Sequence, residues 1–263
     1  MRINPKVTIE NVGGKGYQLS YMKDFCPVPD FFILRFDKND EIDRAGVQNK
    51  ILKHFKEQGF NLVSVRSSAT LEDSSSASFA GMFETELNVT GETLIPAIKK
   101  VLLSVQDLRV KQYCQLNNLD YTAIHMRVIV QKMVQSRVSG VCFTRENRTS
   151  NTLLMEACYG LGEALVSGLV TPDTYRVDRD TLTILSKNIG FQKTMVGVNG
   201  TQEVTPVPFH KRNAKKLTDL EIEELTKMGM LIEKKMGYFA ADIEWAYEGS
   251  KSFFLQVRPL VGI

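Results

Sequence analysis

The chain has 263 residues, of which 43% are hydrophobic and 24% are charged, and its formal net charge at pH 7 is +3. This length allows one large domain or two lobes of an ordinary globular protein. The charge is small and no basic run is interleaved with aromatic residues, so a nucleic-acid partner is not favoured. No apolar run approaches the ~20 residues that a membrane span needs, so a membrane partner is not favoured either.

The first half of the chain shows both helical and strand patterns. Apolar residues recur every fourth position in residues 44–58, which predicts a helix that ends at Gly59. An apolar stripe predicts a second, long helix over residues 93–116. The other expected elements are a short helix, two strands and a loop, at residues 17–23, 31–34, 62–66 and 67–80.

From residue 126 onward the pattern is dominated by strands. They are expected at residues 126–134, 138–145, 152–158, 173–179 and 181–186, with a glycine-rich turn and a helical piece at 160–168. Thr218 and Glu221 form a capping box that opens a helix, which Gly237 closes. Strands and helices mix without a regular βαβ repeat, which predicts an α+β fold in two lobes.

Two sets of residues are interpreted as structural. The four cysteines follow no metal-ligand spacing and nothing requires a disulfide, so a reducing cytoplasm is the expected location. They are Cys26, Cys114, Cys142 and Cys158. The densest basic patch, Lys211-Arg212 with Lys215-Lys216, is expected to be the solvated lead-in to the capped helix.

The end of the chain carries the most informative pattern. Residues 242–246 and 255–259 are typical of two strands joined by a hairpin connection at residues 247–251. Because alternate side chains of a strand share a face, Asp242 lies with Glu244, and Gln256 with Arg258. A connection with an odd number of residues, or a bulge, brings both pairs to one face, where they suit a hard cation and an anionic phosphate. A surface hairpin with ordinary cross-strand pairs is the alternative.

The glycine-rich segment Gly13-Gly14-Lys15-Gly16 places one lysine before a helix-like run. Glycines let backbone N–H groups approach phosphate oxygens, and Lys15 adds a positive charge. The spacing is not that of a P-loop, and a plain turn is the more common explanation of such a segment.

A second segment places Arg66 at the end of an apolar strand. It is followed by small hydroxyl residues and then by Gly81 and Thr85. A loop of this composition can fold over a triphosphate and donate several hydrogen bonds. A flexible serine-rich loop is the alternative.

Two further segments have weaker signals. Residues 130–134 form an apolar strand whose end can offer backbone groups to an adenine edge, although such a strand is more often simply core. Glu156 begins a stretch that turns on Gly160 and Gly162, which can place its carboxylate near a ribose or a metal ion. Close packing explains the same glycines.

Taken together and in this order, these motifs resemble the N-terminal nucleotide-binding domain of phosphoenolpyruvate synthase and pyruvate phosphate dikinase, a domain type that also occurs in rifampin phosphotransferases. The matching segments run from Val12 to Pro259. The most distinctive ones are residues 13–16, 66–70, 160–173 and the terminal hairpin.

The resemblance implies one two-lobed, ATP-grasp-like unit over residues 1–263, with approximate lobes 1–125 and 126–263, that binds ATP and Mg²⁺ between the lobes. Lys15, Arg66 and Arg258 match the family's phosphate-binding, catalytic cations. Glu244 and Gln256 match its metal-binding pair. The other matching nucleotide-binding positions are Gly81 and Thr85 of the phosphate-covering loop, Gln131, Met133 and Val134 of the adenine strand, and the acidic residues Glu156 and Asp242.

Members of this family phosphorylate a histidine on a separate swivelling domain, in a Thr-Ser-His-type motif. His54, His125 and His210 lack that context and are expected to be structural or surface residues. The expected partners are therefore a phosphohistidine carrier domain and a pyruvate- or other acceptor-binding domain on another segment or chain. The region between Phe36 and Leu62 is shorter than in the family, which predicts a more open nucleotide cleft.

Three functions remain open at this point. In the first, the chain is the ATP-binding half of a dikinase, and the carrier histidine attacks the β-phosphorus of ATP and releases AMP. In the second, the same domain serves a rifampin-type antibiotic phosphotransferase and only the acceptor differs. In the third, the chain binds ATP without transferring phosphate. The intact set of charged and amide site residues argues against this last function.

Overall fold

The computed structural model describes residues 1–72, 79, 81–197, 204–260 and 262. The six α-helices among them are α1 (Ile9–Met22), α2 (Ala45–Glu57), α3 (Leu94–Leu103), α4 (Leu108–Leu116), α5 (Glu163–Val166) and α6 (Asp219–Met236). Short 3-10 helices cover Asn39–Asp43, Ser104–Gln106, Tyr121–Ala123 and Phe209–Lys211. The mixture of helices and sheets confirms the α+β class.

The strands form two larger antiparallel sheets and one small pair. The strands of the first sheet are β1 (Arg2–Ile3), β2 (Phe31–Arg35), β3 (Val63–Ala69), β4 (Thr85–Val89) and β5 (Met126–Lys132). The second sheet contains β6 (Val138–Phe143), β7 (Thr152–Tyr159), β8 (Asp173–Asp178), β9 (Ile184–Asn188), β12 (Ala241–Glu248) and β13 (Lys251–Pro259). β10 (Thr194–Val196) pairs with β11 (Val204–Pro206).

The chain divides into two compact units, residues 1–21 with 29–133 and residues 22–28 with 134–263. The division falls after residue 133, whereas the sequence placed the approximate boundary between the lobes at 125/126. β5 pairs with both β2 and β3, so it belongs to the first sheet. Residues 22–28 join the second unit, where the Phe254 N–H donates to the Pro27 carbonyl at 2.8 Å.

The first unit has its sheet in the order β1-β2-β5-β3-β4. One face supplies Phe32, Val65 and Val130 to an apolar core that also contains Ile51 of α2 and Ile98 of α3. The other face carries the alternate residues, including Ile33, Arg66, Ser68, Ile129 and Gln131. α1 covers part of this second face, because Gly16 packs close to the Ile33 side chain and the Gly16 N–H donates to Ser68 Oγ at 2.9 Å.

Three sequence expectations for this unit need correction. α1 begins at Ile9 and is broken at Gly13 (φ 74°, ψ 175°), so the glycine-rich segment lies within a kinked helix. β3 continues through the buried Ser67 and Ser68 to Ala69, and most of the expected loop beyond it, residues 73–78 and 80, lies outside the described residues. The helix expected over residues 93–116 is interrupted by a 3-10 turn, because the Asp107 carboxylate caps a new helix by accepting from the Arg109 N–H.

The second unit has its sheet in the order β13-β12-β6-β7-β8-β9. α6 packs on one face, where Gly229 allows it to approach Cys142 and Ile243. The capping box of Thr218 and Glu221 and the left-handed Gly237 (φ 71°) at its end are confirmed. The strand expected at 181–186 begins only at Ile184, as β9, because a turn whose N–H groups donate to the Asp178 carboxylate occupies residues 179–181.

The basic patch before α6 also departs from expectation. The Lys216 side chain is fully buried, and its Nζ lies 2.6 Å from Asp173 Oδ1 and 2.7 Å from the Gly190 carbonyl. Asp173 in turn accepts from the Tyr175 hydroxyl and from the Gly190 N–H. This buried network, and not solvent, surrounds one lysine of the patch.

Candidate functional site

Lys15 lies on α1 immediately after the kink. Its Nζ is 2.7 Å from Glu72 Oε1 and 3.3 Å from Ser67 Oγ. The kink lets the helix approach the end of β3. A Cβ on Gly13 would overlap the Ser68 carbonyl, and one on Gly14 would overlap the Glu72 carbonyl. The glycines are therefore required by packing of the chain on itself, a role that the phosphate interpretation had not assigned to them.

Arg66 and Gln131 are brought together on the sheet face that α1 covers. Arg66 Nη1 donates to Gln131 Oε1 at 3.2 Å. Thr85 of β4 pairs directly with Arg66, so its side chain belongs to the same face. Gln131 is only 2% exposed, and among the described residues its Nε2 has no hydrogen-bond partner. A buried amide donor without a partner is costly, and a ligand acceptor would satisfy it.

Three further residues predicted to bind the nucleotide are Gly81, Met133 and Val134, and their positions give no direct sign of a ligand. Gly81 is exposed in a turn before β4, with the left-handed φ of 68° that favours glycine. Met133 and Val134 are buried, and they follow β5. The Met133 N–H donates to the Leu62 carbonyl and the Val134 carbonyl accepts from the Ser136 N–H, so these two backbone groups serve the chain itself.

The terminal hairpin has the geometry that the alternation pattern required. β12 and β13 are joined by the two residues Gly249 and Ser250, fewer than expected, and the pairing register shifts between Glu244 and Trp245. This bulge places Glu244 opposite Gln256 and Asp242 opposite Arg258. Directly paired residues share a face, so all four side chains lie on the side of the sheet opposite α6, called here the hairpin face.

Arg258 is bound to Asp242 by two nitrogen atoms. Its Nε donates to Asp242 Oδ2 at 2.7 Å, and its Nη2 lies 2.6 Å from the same oxygen. Burial raises the pKa of Asp242, Arg258 opposes this shift, and the nearby charge of Glu244 adds to it. The carboxylates of Asp242 and Glu244 thus lie two residues apart on one face of β12, where a cation would be favoured.

Glu156 extends the hairpin face along the sheet. Pairing runs directly from Gln256 through Glu244 and Val141 to Glu156. Burial raises the pKa of the Glu156 carboxyl group. The order of the strands therefore brings three predicted site residues from distant parts of the sequence into one row.

The donor set of this row fits Mg²⁺. The ion prefers oxygen ligands, one or two of them carboxylates, and it retains waters and phosphate oxygens in its remaining positions. Glu244 offers a carboxylate and Gln256, directly opposite, offers an amide oxygen. Within the described part of the chain no three His, Cys, Asp or Glu side chains cluster to form a complete protein cage.

Glu72 is a buried, charged residue that the motif-based selection missed. It is 5% exposed and contacts the lysine that the sequence singles out. The available signal was an acidic residue within the hydroxyl-rich stretch that follows Arg66. Only folding showed that this segment and the glycine-rich one lie side by side.

Comparison with known sequences identifies the family. The profile of the pyruvate phosphate dikinase AMP/ATP-binding domain matches residues 40–262. The chain belongs to this family.

Curated relatives include phosphoenolpyruvate synthases and a rifampicin phosphotransferase. A probable phosphoenolpyruvate synthase of Methanocaldococcus jannaschii is 41% identical over 203 residues, which cover 75% of this chain and 17% of that protein. The phosphoenolpyruvate synthase of Aquifex aeolicus is 41% identical over 231 residues, covering 80% and 27%. The rifampicin phosphotransferase of Bacillus subtilis is 36% identical over 233 residues, covering 87% and 26%. The chain thus spans 17 to 27% of the lengths of these relatives.

Solved structures resemble the chain only distantly. Protein PH1788 of Pyrococcus horikoshii has a TM-score of 0.47 at 12% identity, with 95% of this chain and 93% of that chain covered. D-alanyl-alanine synthetase A of Vibrio cholerae has a TM-score of 0.46 at 11% identity, with 92% and 52% covered. Similarity at this level adds no weight to a functional assignment. No helix in the described ranges has the length and apolar character needed to cross a membrane.

Proposed function

We propose that this chain is an ATP-grasp-like, ATP-binding part of a dikinase of the phosphoenolpyruvate synthase type. It binds Mg-ATP and presents the β-phosphoryl group, transferred as pyrophosphoryl, to a histidine on a separate carrier domain. The observation that carries the proposal is the bulge in the terminal hairpin, which pairs Glu244 with Gln256 and Asp242 with Arg258 on one face. Membership of the AMP/ATP-binding family supports it.

In this proposal the first unit binds the phosphates and the base. Lys15 and Arg66 supply positive charge to phosphate oxygens, and Gly81 and Thr85 contribute to the segment that covers them. Gln131, whose Nε2 is without a partner in the described structure, donates to the nucleotide. Met133 and Val134 contribute their other backbone groups, which are the Met133 carbonyl and the Val134 N–H.

The second unit neutralises charge. Glu244 and Gln256 would hold Mg²⁺, which supplies Lewis-acid stabilisation of the phosphate oxygens when it is bound. Arg258 contacts the phosphates, and Asp242 fixes the orientation of its guanidinium group through the two contacts at 2.6 and 2.7 Å. Glu156 lies in the same row.

The proposed reaction is a displacement at phosphorus. A ring nitrogen of the carrier histidine forms a bond to the β-phosphorus as the bond from that phosphorus to the bridging oxygen breaks, and AMP leaves with that oxygen. Phosphoryl transfer needs positioning and charge stabilisation more than covalent participation of protein groups. The three cations Lys15, Arg66 and Arg258 serve both needs.

Calorimetric titration of ATP, with and without Mg²⁺, tests the binding step. We expect saturable binding that weakens in Glu244→Ala only when Mg²⁺ is present. Glu223→Ala is the matched control, because Glu223 forms an exposed ion pair with Lys227 on α6. Binding that is identical in Glu244→Ala and wild type would show that Glu244 does not hold the ion.

Labelling of a carrier domain tests the transfer step. With ATP radiolabelled at the β-phosphorus, the carrier of a related phosphoenolpyruvate synthase should become labelled in the presence of this chain. Tight ATP binding with no label on any carrier would favour a non-catalytic ATP-binding module.

A rifampicin-type phosphotransferase is the second candidate. The rifampicin phosphotransferase of Bacillus subtilis matches 87% of this chain. The two candidates share the nucleotide half-reaction and differ in the acceptor. Supplying this chain and β-labelled ATP with the carrier domain of either a phosphoenolpyruvate synthase or a rifampicin phosphotransferase, and following which carrier becomes labelled, distinguishes them.

A further inference from the structure

The Lys15 ammonium group has a buried carboxylate partner. Lys15 Nζ lies 2.7 Å from Glu72 Oε1, and the two side chains are 13% and 2% exposed. An ion pair that is this well shielded is far less screened than the surface pairs of the chain. Its geometry can therefore determine where the lysine points.

Glu72 is itself held in place by the backbone. Its Oε2 accepts a hydrogen bond from the Ala69 N–H at 3.0 Å, while its other oxygen contacts Lys15. Ala69 is the last residue of β3 and pairs with Met126 of β5. The carboxylate thus connects the lysine to the hydrogen-bonded end of this strand.

The backbone near the pair is close-packed as well. Gly14 lies against the Glu72 carbonyl, and neither Gly13 nor Gly14 leaves room for a Cβ. The base of the Lys15 side chain is therefore fixed by packing, and its tip by Glu72 and by Ser67 Oγ at 3.3 Å. An ammonium group has three donors, and the contacts that Lys15 makes with described residues use two of them, so a third donor can serve a further acceptor.

We propose that Glu72 is a positioning residue that aims Lys15 at a phosphate group of the nucleotide. This inference rests on the proposed function, because it assumes that Lys15 binds phosphate. The same physical arrangement operates in protein kinases, where a lysine that contacts the phosphates must be paired with a glutamate. A lysine has four flexible bonds, and fixing them before the ligand arrives lowers the entropic cost of binding.

Titration of ATP and of adenosine into Glu72→Gln and Lys15→Met variants tests this role. Glu72→Gln should weaken ATP binding about tenfold, the effect of losing one charge-assisted contact, and should leave adenosine binding unchanged. The double variant should bind ATP no more weakly than Lys15→Met, because both changes remove the same interaction. Glu57→Gln is the matched control, since Glu57 belongs to an exposed pair with Lys53.

Glu72→Asp is the second variant, for use if Glu72→Gln does not fold. It keeps the buried charge and shortens the side chain by one methylene, and we expect roughly threefold weaker ATP binding with normal adenosine binding. ATP affinity that is unchanged or higher in the Glu72 variants, or additive losses in the double variant, would overturn the inference and leave the proposed function standing. Failure of the wild-type chain to bind ATP would overturn both.

Discussion

Asp242 and Arg258 face each other directly across β12 and β13, and both Nε and Nη2 of the arginine contact the same carboxylate oxygen. The aspartate is 6% exposed, whereas the arginine side chain is 31% exposed. The buried member thus anchors the more accessible one. An arginine held this way keeps a fixed orientation toward an anionic ligand.

Asp242→Asn should therefore lower ATP affinity about tenfold, because an amide orients the guanidinium group less strongly than a carboxylate does. Calorimetric titration of ATP measures the loss. Asp219→Asn, which alters an exposed pair with Lys187, should bind ATP as wild type does. Equal affinity in Asp242→Asn and wild type would mean that other contacts suffice to orient Arg258.

Glu156→Gln should change the pH dependence of stability. Burial raises the pKa of Glu156 in the folded chain above its ordinary value, so the unfolded chain loses this proton first as the pH rises. The wild type therefore loses stability between the ordinary glutamate pKa of about 4.3 and the folded pKa, and the glutamine variant does not. Thermal unfolding should give a higher Tm for the variant at pH 7 and similar Tm values near pH 3.5. A lower Tm for the variant at pH 7 would contradict this sign.

Gly13→Ala should destabilise the first unit strongly. The residue has a φ of 74°, and a Cβ there would overlap the Ser68 carbonyl. Strain and the forced backbone shift together should cost at least about 2 kcal/mol of the free energy of unfolding. Gly46→Ala in α2 is the matched control, because a Cβ there meets nothing within 4 Å and should stabilise the helix by about 0.5 kcal/mol. Urea denaturation measures both changes.

Lys216→Met should be among the most destabilising charge substitutions. Lys216 and Asp173 are both 0% exposed, and removing one partner leaves a buried charge uncompensated, at a cost of about 3–5 kcal/mol. Lys216→Met with Asp173→Asn should recover part of that loss. Lys215→Met, at an exposed position of the same patch, should have no measurable effect on urea denaturation. A mild effect of Lys216→Met would mean that water reaches the carboxylate.

Local sequence patterns predicted the helices and strands that depend on interactions between residues close together in the chain. The helix α2, the capping box of α6 and the two terminal strands follow from residue spacing and from caps that act within a few residues. These patterns did not predict features of the fold that depend on contacts between distant segments or on a single capping residue. The kink at Gly13 is required by the end of β3, and the break before α4 depends on the Asp107 cap, which an apolar stripe does not reveal.

The candidate site divides in the same way. Alternation along the two terminal strands was enough to group Asp242 with Glu244 and Gln256 with Arg258, because the period of a strand is two whatever surrounds it. The alternation pattern could not show that the pairing of β12 and β13 would shift by a bulge between Glu244 and Trp245. It also could not show that β7 would bring Glu156 into line with the hairpin.

The sequence by itself determined the family, the α+β class and the types of residue that could bind a metal nucleotide, since these depend on motif order and residue chemistry. Only the tertiary structure decided which of those residues touch. It paired Lys15 with Glu72, Arg66 with Gln131 and Lys216 with Asp173, partners separated by between 43 and 65 residues. Such contacts are set by strand order and by burial, because a buried charge or amide must find a partner wherever the fold provides one.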